Sequence, residues 1–311
     1  MTIRPYRRGD EEAQARIYNA GAGTMPGYQP AKPGDIARRD RSGDTDPSSR
    51  FYAEEDGEVV GYAIANPSGR ISYPWCLPVA TQCQVPLLEA VLAAMRERGL
   101  AEAWAAYRAD WEPVLVFFHQ HGFMPTRLMI NYVAELSRLP HAAVPLGRVV
   151  ALMERGQLAE IRAMGAGVFP EESFEGLDEF YWGNPYFAPE SLFVLKEDAD
   201  GRILGAAQVI DNPEYADPTK LDAAMPCFRL GALGTERERH KRVRGMFSCL
   251  FADEPAGEVL LAEAVRRMER AGLTHVAAQV SSTPSRLTHF YDRFFTRQGS
   301  FPILSRCLSA R

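Results

Sequence analysis

The sequence predicts an α/β (α+β) protein made of two tandem copies of one domain, each a mixed, mainly antiparallel sheet flanked by helices. Three observations lead there. The chain has 311 residues, long for one ordinary domain and comfortable for two. An amphipathic stretch, Leu87–Leu100, returns 173 positions later as Leu260–Leu273. A strand, a tight turn and a second strand precede it both times. The copies are expected at residues 1–138 and 146–311.

The repeated helix is the clearest element. Apolar residues recur at Leu87, Leu88, Val91, Leu92 and Met95, and in phase at Leu260, Leu261, Ala264, Val265 and Met268. That spacing puts each set on one helical face. Gly99 and Gly272 follow, the residue type that closes a helix in the left-handed conformation. The same shift pairs the short buried strands Ala103–Tyr107 and Val276–Val280. It then pairs the aromatic segments Val114–His119 and Leu287–Asp292, setting Phe117 on Phe290 and Phe118 on Tyr291.

Upstream, Arg50–Pro67 and Leu192–Pro213 each read as a strand, an Asp-Gly turn and a second strand. Gly61 matches Gly205 at a shift of 144, which leaves a 29-residue insertion in the second copy between Pro213 and about Gly245. Each copy opens on a helix-rich stretch, Asp10–Ala22 and Arg148–Val168, followed by a second short helix or lid around 31–42 and 171–187. Leu136–Leu146, punctuated by Pro140 and Pro145, has no helical or strand period and reads as a linker.

Composition narrows the functional classes. Hydrophobic residues make up 46% and charged residues 24%, the profile of a soluble globular protein. A net charge of -5 gives no general attraction to nucleic acid or anionic lipid, so phosphate binding requires a local patch. No apolar run reaches membrane-spanning length. Met1–Arg8 is basic with no apolar segment behind it, so no secretory signal is expected. The five cysteines (Cys76, Cys83, Cys227, Cys249 and Cys307) form no C-x-x-C pair and are read as reduced thiols of a cytoplasmic protein. No histidine stands at ligand spacing beside them, so no metal site is expected.

The order of helices, hairpin, strand, long helix, strand, aromatic helix and closing strand resembles the Gcn5-related N-acetyltransferase (GNAT) fold. Val116–Phe123 is similar to that family's ending, an aromatic helix running into Gly122-Phe123 and a final strand, here Met129–Glu135. His289–Phe295 keeps the aromatic pair and lacks the Gly-Phe. The resemblance covers nearly the whole chain apart from the linker and the insertion. It implies transfer of an acetyl group from acetyl-CoA to a primary amine of a small molecule or protein. The implied partners are acetyl-CoA and that amine, with no metal, nucleic acid or membrane.

GNAT proteins hold the acetyl-CoA pyrophosphate in a Q/R-x-x-G-x-G/A loop at the start of the long helix, where glycines let backbone N–H groups converge on the phosphates and the helix dipole adds to them. The first copy has Thr81–Leu87 there, without glycine; the second has Ala252–Leu260, with Gly257. The resemblance therefore assigns the phosphates to Ala256, Gly257, Glu258 and Val259, although Asp253 and Glu254 oppose a phosphate unless they point away. It assigns the thioester carbonyl to backbone donors at Leu250 and Phe251. A second register places the loop at Thr235–Gly245. The repeat offset favours the first, in which Val243–Phe251 is a core strand and Cys249 superposes on Cys76. The basic run then becomes a hairpin tip with two readings: a solvated turn, or cations for the CoA phosphates or an acidic substrate. Those cations are Arg237, Arg239, Lys241, Arg242 and Arg244, with Arg242 and Arg244 in the cofactor-binding set.

Acetyl transfer needs a deprotonated amine, a polarised carbonyl and a proton for the departing thiolate. The resemblance gives the proton to Tyr291; Phe118 has no hydroxyl, so catalysis is expected in the second copy alone. The bland reading of Tyr291 is an aromatic packed on strands with its hydroxyl at the surface. His275, His289, Glu254 and Gln279 (through a water) stand open as the base. Cys249 is read as inert. The aromatic run Phe180–Phe187 serves either the core or an apolar acceptor. A rival reading is a non-catalytic binding or scaffold protein with decayed CoA loops.

Overall fold

The computed structural model describes residues 1–28, 30–34, 36–37, 47–67, 69–165, 178, 181–183, 187–211, 245–283 and 285–308. Arg237, Arg239, Lys241, Arg242 and Arg244 lie outside the described residues, as do most of the 171–187 segment and the insertion. In chain order the elements are β1 (Thr2–Pro5), α1 (Asp10–Ala22), β2 (Arg50–Glu55), β3 (Glu58–Ile64), β4 (Trp75–Cys76), α2 (Gln84–Glu97), β5 (Glu102–Ala106), α3 (Glu112–Gln120) and β6 (Met124–Glu135). They continue as β7 (Arg148–Leu152), α4 (Leu158–Met164), β8 (Leu192–Glu197), β9 (Ile203–Ile210), β10 (Met246–Phe251), α5 (Glu254–Arg270), β11 (His275–Ser281), α6 (Ser285–Phe294) and β12 (Thr296–Cys307). None of the described helices is long and apolar enough to cross a membrane.

The chain divides into two compact units, Met1–Arg127 with Phe301–Arg311, and Leu128–Ser300. These are not the contiguous stretches 1–138 and 146–311 that the repeat suggests. Register is the reason: Met129–Glu135 of β6 pairs antiparallel with the whole of β11, and Ile303–Cys307 of β12 pairs antiparallel with β5. Each closing strand thus completes the sheet of the other copy.

In the first unit, β1, β2, β3 and β4 form an antiparallel sheet in sequence order. Asp56 and Gly57 both have positive φ, 51° and 83°, which is what a two-residue turn between twisted strands requires. The apolar face of α2 is buried at all five repeat positions. Cys76 and Cys83 form a disulfide across seven positions, with Cα atoms 6.9 Å apart, where the sequence reading expected reduced thiols. Gly61 lies opposite Cys76 in the β3–β4 ladder. A Cβ on Gly61 would come within 2.5 Å of the Cys83 sulfur and 2.9 Å of the Cys76 sulfur, so the absence of a side chain there lets the two cysteines meet.

The second unit has the strand order β7-β8-β9-β10-β11-β6, with β10–β11 the parallel pair. Arg148–Leu152, read from sequence as helical, is the edge strand β7 paired with β8, and the helix begins only at Leu158. Val149 and Val150 favour that extended choice. The buried face of α5 packs on β9 and β10 with Leu260, Leu261, Ala264, Val265 and Met268 all in the core.

Candidate active site in the second unit

The site begins where two parallel strands part. β10 and β11 share one register pair, Met246 with Ala277, supported by the Ala277 N–H donating to the Gly245 carbonyl at 2.8 Å. Beyond it, Phe247–Phe251 pairs only with β9 among the described residues. The Ala252 N–H donates to the Leu204 carbonyl, and antiparallel bonding alternates. Leu250 therefore turns its N–H toward β9, while Cys249 and Phe251 turn theirs toward the gap. Of the two backbone donors expected from sequence, Phe251 faces the gap and Leu250 does not; Cys249 is the residue the sequence reading missed, and period-two alternation was the signal.

Tyr291 projects from α6 against the same stretch. It is 1% exposed, and its hydroxyl lies 3.7 Å from the Cys249 sulfur and 3.5 Å from the Phe247 carbonyl oxygen. The surface hydroxyl of the bland reading is thus not what the structure has. Burial, then the neighbouring Cys249, pushes the Tyr291 pKa well above the ordinary phenol value, so the group holds its proton. Burial likewise pushes the Cys249 thiol up to about 12, and a protonated thiol is a poor nucleophile. Tyr132, from β6, packs its ring 5.5 Å from that of Tyr291 and donates its hydroxyl to Asp292 at 3.0 Å. Arg297 holds Asp292 from the other side with two short hydrogen bonds. Tyr291 is therefore seated by a neighbour that lies in the first copy of the repeat.

The start of α5 is built differently from an open phosphate cradle. Asp253 is the N-cap, its carboxylate accepting the Ala256 N–H at 2.8 Å, and its carbonyl accepts the Gly257 N–H. Pro255 has no N–H to give. A Cβ on Gly257 would lie 2.8 Å from the Phe251 ring and 3.0 Å from the Phe290 ring, so this glycine serves aromatic packing. Val259 and Ala256 are buried, and Glu258 pairs with Arg293 at 2.7 Å. The strand-to-helix link is also shorter than in the first unit: Gly61 faces Cys76 while Gly205 faces Phe251, so Cys76 corresponds to Phe251 and not to Cys249. Leu87 follows Cys76 by eleven positions and Leu260 follows Phe251 by nine. The Ala256 and Gly257 N–H groups, to which the resemblance assigned the pyrophosphate, are already taken by Asp253.

The remaining candidates separate. Glu254, His289 and Arg293 cluster on the solvent side, with His289 3.9 Å and Arg293 3.4 Å from Glu254. His275 bonds Thr274 and lines a shallow 220 Å³ pocket with Glu135 and Arg138. Only Gln279 borders the gap, donating to the Asn131 side-chain oxygen at 2.7 Å. Tyr181 and Trp182 pack against the main core, and Phe187 against Met246, Ile210 and Ala277. No group of three or more potential metal ligands occurs among the described residues.

The corresponding position in the first unit is packed among aromatic rings. Phe118 is fully buried where Tyr291 stands in the second unit, stacked with Tyr107 and edge-on to Phe123. Tyr73, Trp75 and Trp111 pack around it, Trp75 lying 4.8 Å from Tyr73 and 6.1 Å from Trp111. Gln84, at the start of α2, donates to the Tyr73 hydroxyl at 2.6 Å.

Comparison with solved structures decides the architecture. A GCN5-related N-acetyltransferase from Sphaerobacter thermophilus matches over 99% of this chain and 96% of its own, with a TM-score of 0.65 and 18% identity. The fold is the tandem GNAT fold. A tandem GNAT protein from the clavulanic acid biosynthesis pathway matches over 100% of this chain and 99% of its own, with a TM-score of 0.56 and 11% identity. A GCN5-related glucosamine N-acetyltransferase region of a fungal multi-domain GH3 β-N-acetylglucosaminidase matches over 98% of this chain and 38% of that one, with a TM-score of 0.60 and 14% identity. No family model matches the chain, and no curated protein matches it by sequence.

Proposed function

We propose that the second unit is an acyl-CoA-dependent N-acetyltransferase that moves the acetyl group of acetyl-CoA to a primary amine of a small molecule or protein. The observation that carries this is the Tyr291 hydroxyl, buried at the edge of the gap between β10 and β11. A thioester in the gap has its carbonyl oxygen polarised by the Cys249 or Phe251 N–H. The neutral amine attacks the carbonyl carbon, the C–N bond forms and the C–S bond breaks. Tyr291 gives its proton to the leaving thiolate and regains one, through water, from the nitrogen. With the start of α5 self-capped, the CoA phosphates are assigned to Arg242 and Arg244. A cytoplasmic setting, where acetyl-CoA is available, suits this activity.

Calorimetric titration of the full chain with acetyl-CoA tests the reading. Saturable heat is expected, and Tyr291→Phe should keep the affinity while lowering turnover by about a hundredfold or more at neutral pH. No heat and no thermal shift at millimolar acetyl-CoA would end it. A second reading, a tandem GNAT-fold binding or scaffold protein without catalysis, is favoured by the Asp253 carboxylate standing where the family binds phosphate; it predicts that null titration.

A further inference from the structure

The face of the second sheet opposite Tyr291 carries a second set of polar groups. Residues 247, 249 and 251 of β10 point toward α5 and α6, since Cys249 and Phe247 touch Tyr291 and Phe251 packs on Phe290. The alternate residues point the other way. Met246, Ile210 and Ala277 meet there in one apolar cluster with Phe187. Two residues further along the same face stand Gln208 on β9 and Gln279 on β11, with Ser248 opposite Gln208 and Asn131 opposite Gln279. Ser248 and Gln279 flank the gap.

Gln208 marks this face as made for a ligand. It is 5% exposed, and its side-chain nitrogen has no hydrogen-bond partner. A buried amide donor left unpaired is destabilising, and folded proteins rarely keep one without a use. Among the described residues, the same-face strand neighbours of the four (Ala206, Ile210, Met246, Leu250, Ala277 and Val133) carry no charge; His275 and Glu135 face each other only at the far end of the β11–β6 ladder. Such a surface favours neutral hydrogen-bonding groups and does nothing to neutralise a carboxylate, phosphate or second ammonium. Low polarity also favours the uncharged form of an amine, the form that attacks.

The geometry points to an acceptor pocket formed by Gln208, Ser248, Gln279 and Asn131, which takes a primary amine bearing uncharged hydroxyl or amide groups. This deepens, and rests on, the acetyltransferase reading: thioester in the gap, Tyr291 on one face, acceptor on the other. The Gln208 nitrogen donates to an acceptor oxygen. Gln279, already held by Asn131, orders a water or hydroxyl beside the attacking nitrogen.

The test compares serinol and glucamine with glutamate and spermidine as acceptors for the full chain, and repeats the comparison with Gln208→Leu. The amino polyols should show kcat/KM at least tenfold above the charged amines. Gln208→Leu should raise the polyol KM at least tenfold, leave the acetyl-CoA KM unchanged and raise the thermal midpoint, since it removes an unpaired buried donor. Preference for a charged amine, an unchanged polyol KM or a lowered midpoint would overturn the assignment. If no amine consumes acetyl-CoA, saturation-transfer NMR with glucamine alone decides. Binding lost in Gln208→Leu upholds the pocket and removes the enzyme reading, and absence of binding removes both.

Discussion

The Asp253 carboxylate accepts the Ala256 N–H at 2.8 Å, so α5 carries an anion of its own at its first turn. Glu254 and Glu258 stand beside it with Arg293 between them. An N-terminus already capped by a carboxylate has lost the donors and the positive end that recruit phosphate.

Asp253→Ala should therefore cost about 1 kcal/mol of stability, the usual loss for an N-cap. Asp253→Asn keeps the capping oxygen and should stay within about 0.5 kcal/mol of the wild type, because Asn caps as well as Asp. Urea midpoints of the three proteins measure this. Equal losses in Ala and Asn would mean that the charge, and not the cap, stabilises the helix.

Much of the fold was legible because it is local. The α2 and α5 faces follow from their apolar period, and Gly99 and Gly272 both adopt φ of +74° after them. The β2–β3 turn follows from Asp56-Gly57. The exchange of closing strands was not legible: Met129–Glu135 reads as a strand, but nothing local states whether its partner is β5 or β11. β1 escaped notice because four residues with one charge and a proline carry no strand period. Tyr291 follows from the resemblance to the family, the repeat only setting it on Phe118. Asp253, followed by Pro255, carried a capping signal. Gln208 could not be found, since an unpaired donor is a property of the packed sheet.

The Cys76–Cys83 bond joins the end of β4 to the approach of α2. Closing a loop this short stabilises by about 2 kcal/mol in the chain-entropy picture. Purified oxidised protein should lose that amount on reduction, read as a lower thermal midpoint, while Cys76→Ser should show no response to reductant. Alkylation in denaturant before reduction should label Cys307 and spare Cys76 and Cys83. Labelling of all three at equal rates would show the pair to be reduced.

Alkaline stability has three buried contributors in the second unit, one of them Tyr291, whose hydroxyl burial pushes well above the ordinary phenol value. The Tyr132 hydroxyl is pushed up to about 12 by burial and by Asp292, and the Cys249 thiol to about 12 by burial. All three folded values exceed the unfolded ones, so the folded state binds these protons more tightly. Their stabilisation is complete below the unfolded values of about 8.5 for Cys and about 10 for Tyr, and is lost as pH rises toward 12. The thermal midpoint should fall from about pH 9 upward. Tyr132→Phe should make the part above about pH 10 shallower, the share of Tyr291 remaining, and leave the earlier part. A midpoint independent of pH between 9 and 12 would remove all three groups from the account.

The closing strands give the last expectation. Phe301–Arg311 belongs to the first unit, where Ile303–Cys307 pairs with β5 and Leu304 and Leu308 enter the core at 5% and 3% exposure. Losing two core leucines and an edge of sheet removes several kcal/mol from a unit whose whole stability is about 5–15 kcal/mol. Truncation after Ser300 should therefore unfold the first unit and leave a separate transition for the second. A protease site placed at Leu146, which is fully exposed, provides the complementary measurement. The cut fragments should co-elute under native conditions, because Met129–Glu135 remains in the sheet with β11 and Ile303–Cys307 remains with β5. Fragments that part in native buffer, each with an intact sheet signal, would mean that every copy closes on its own strand.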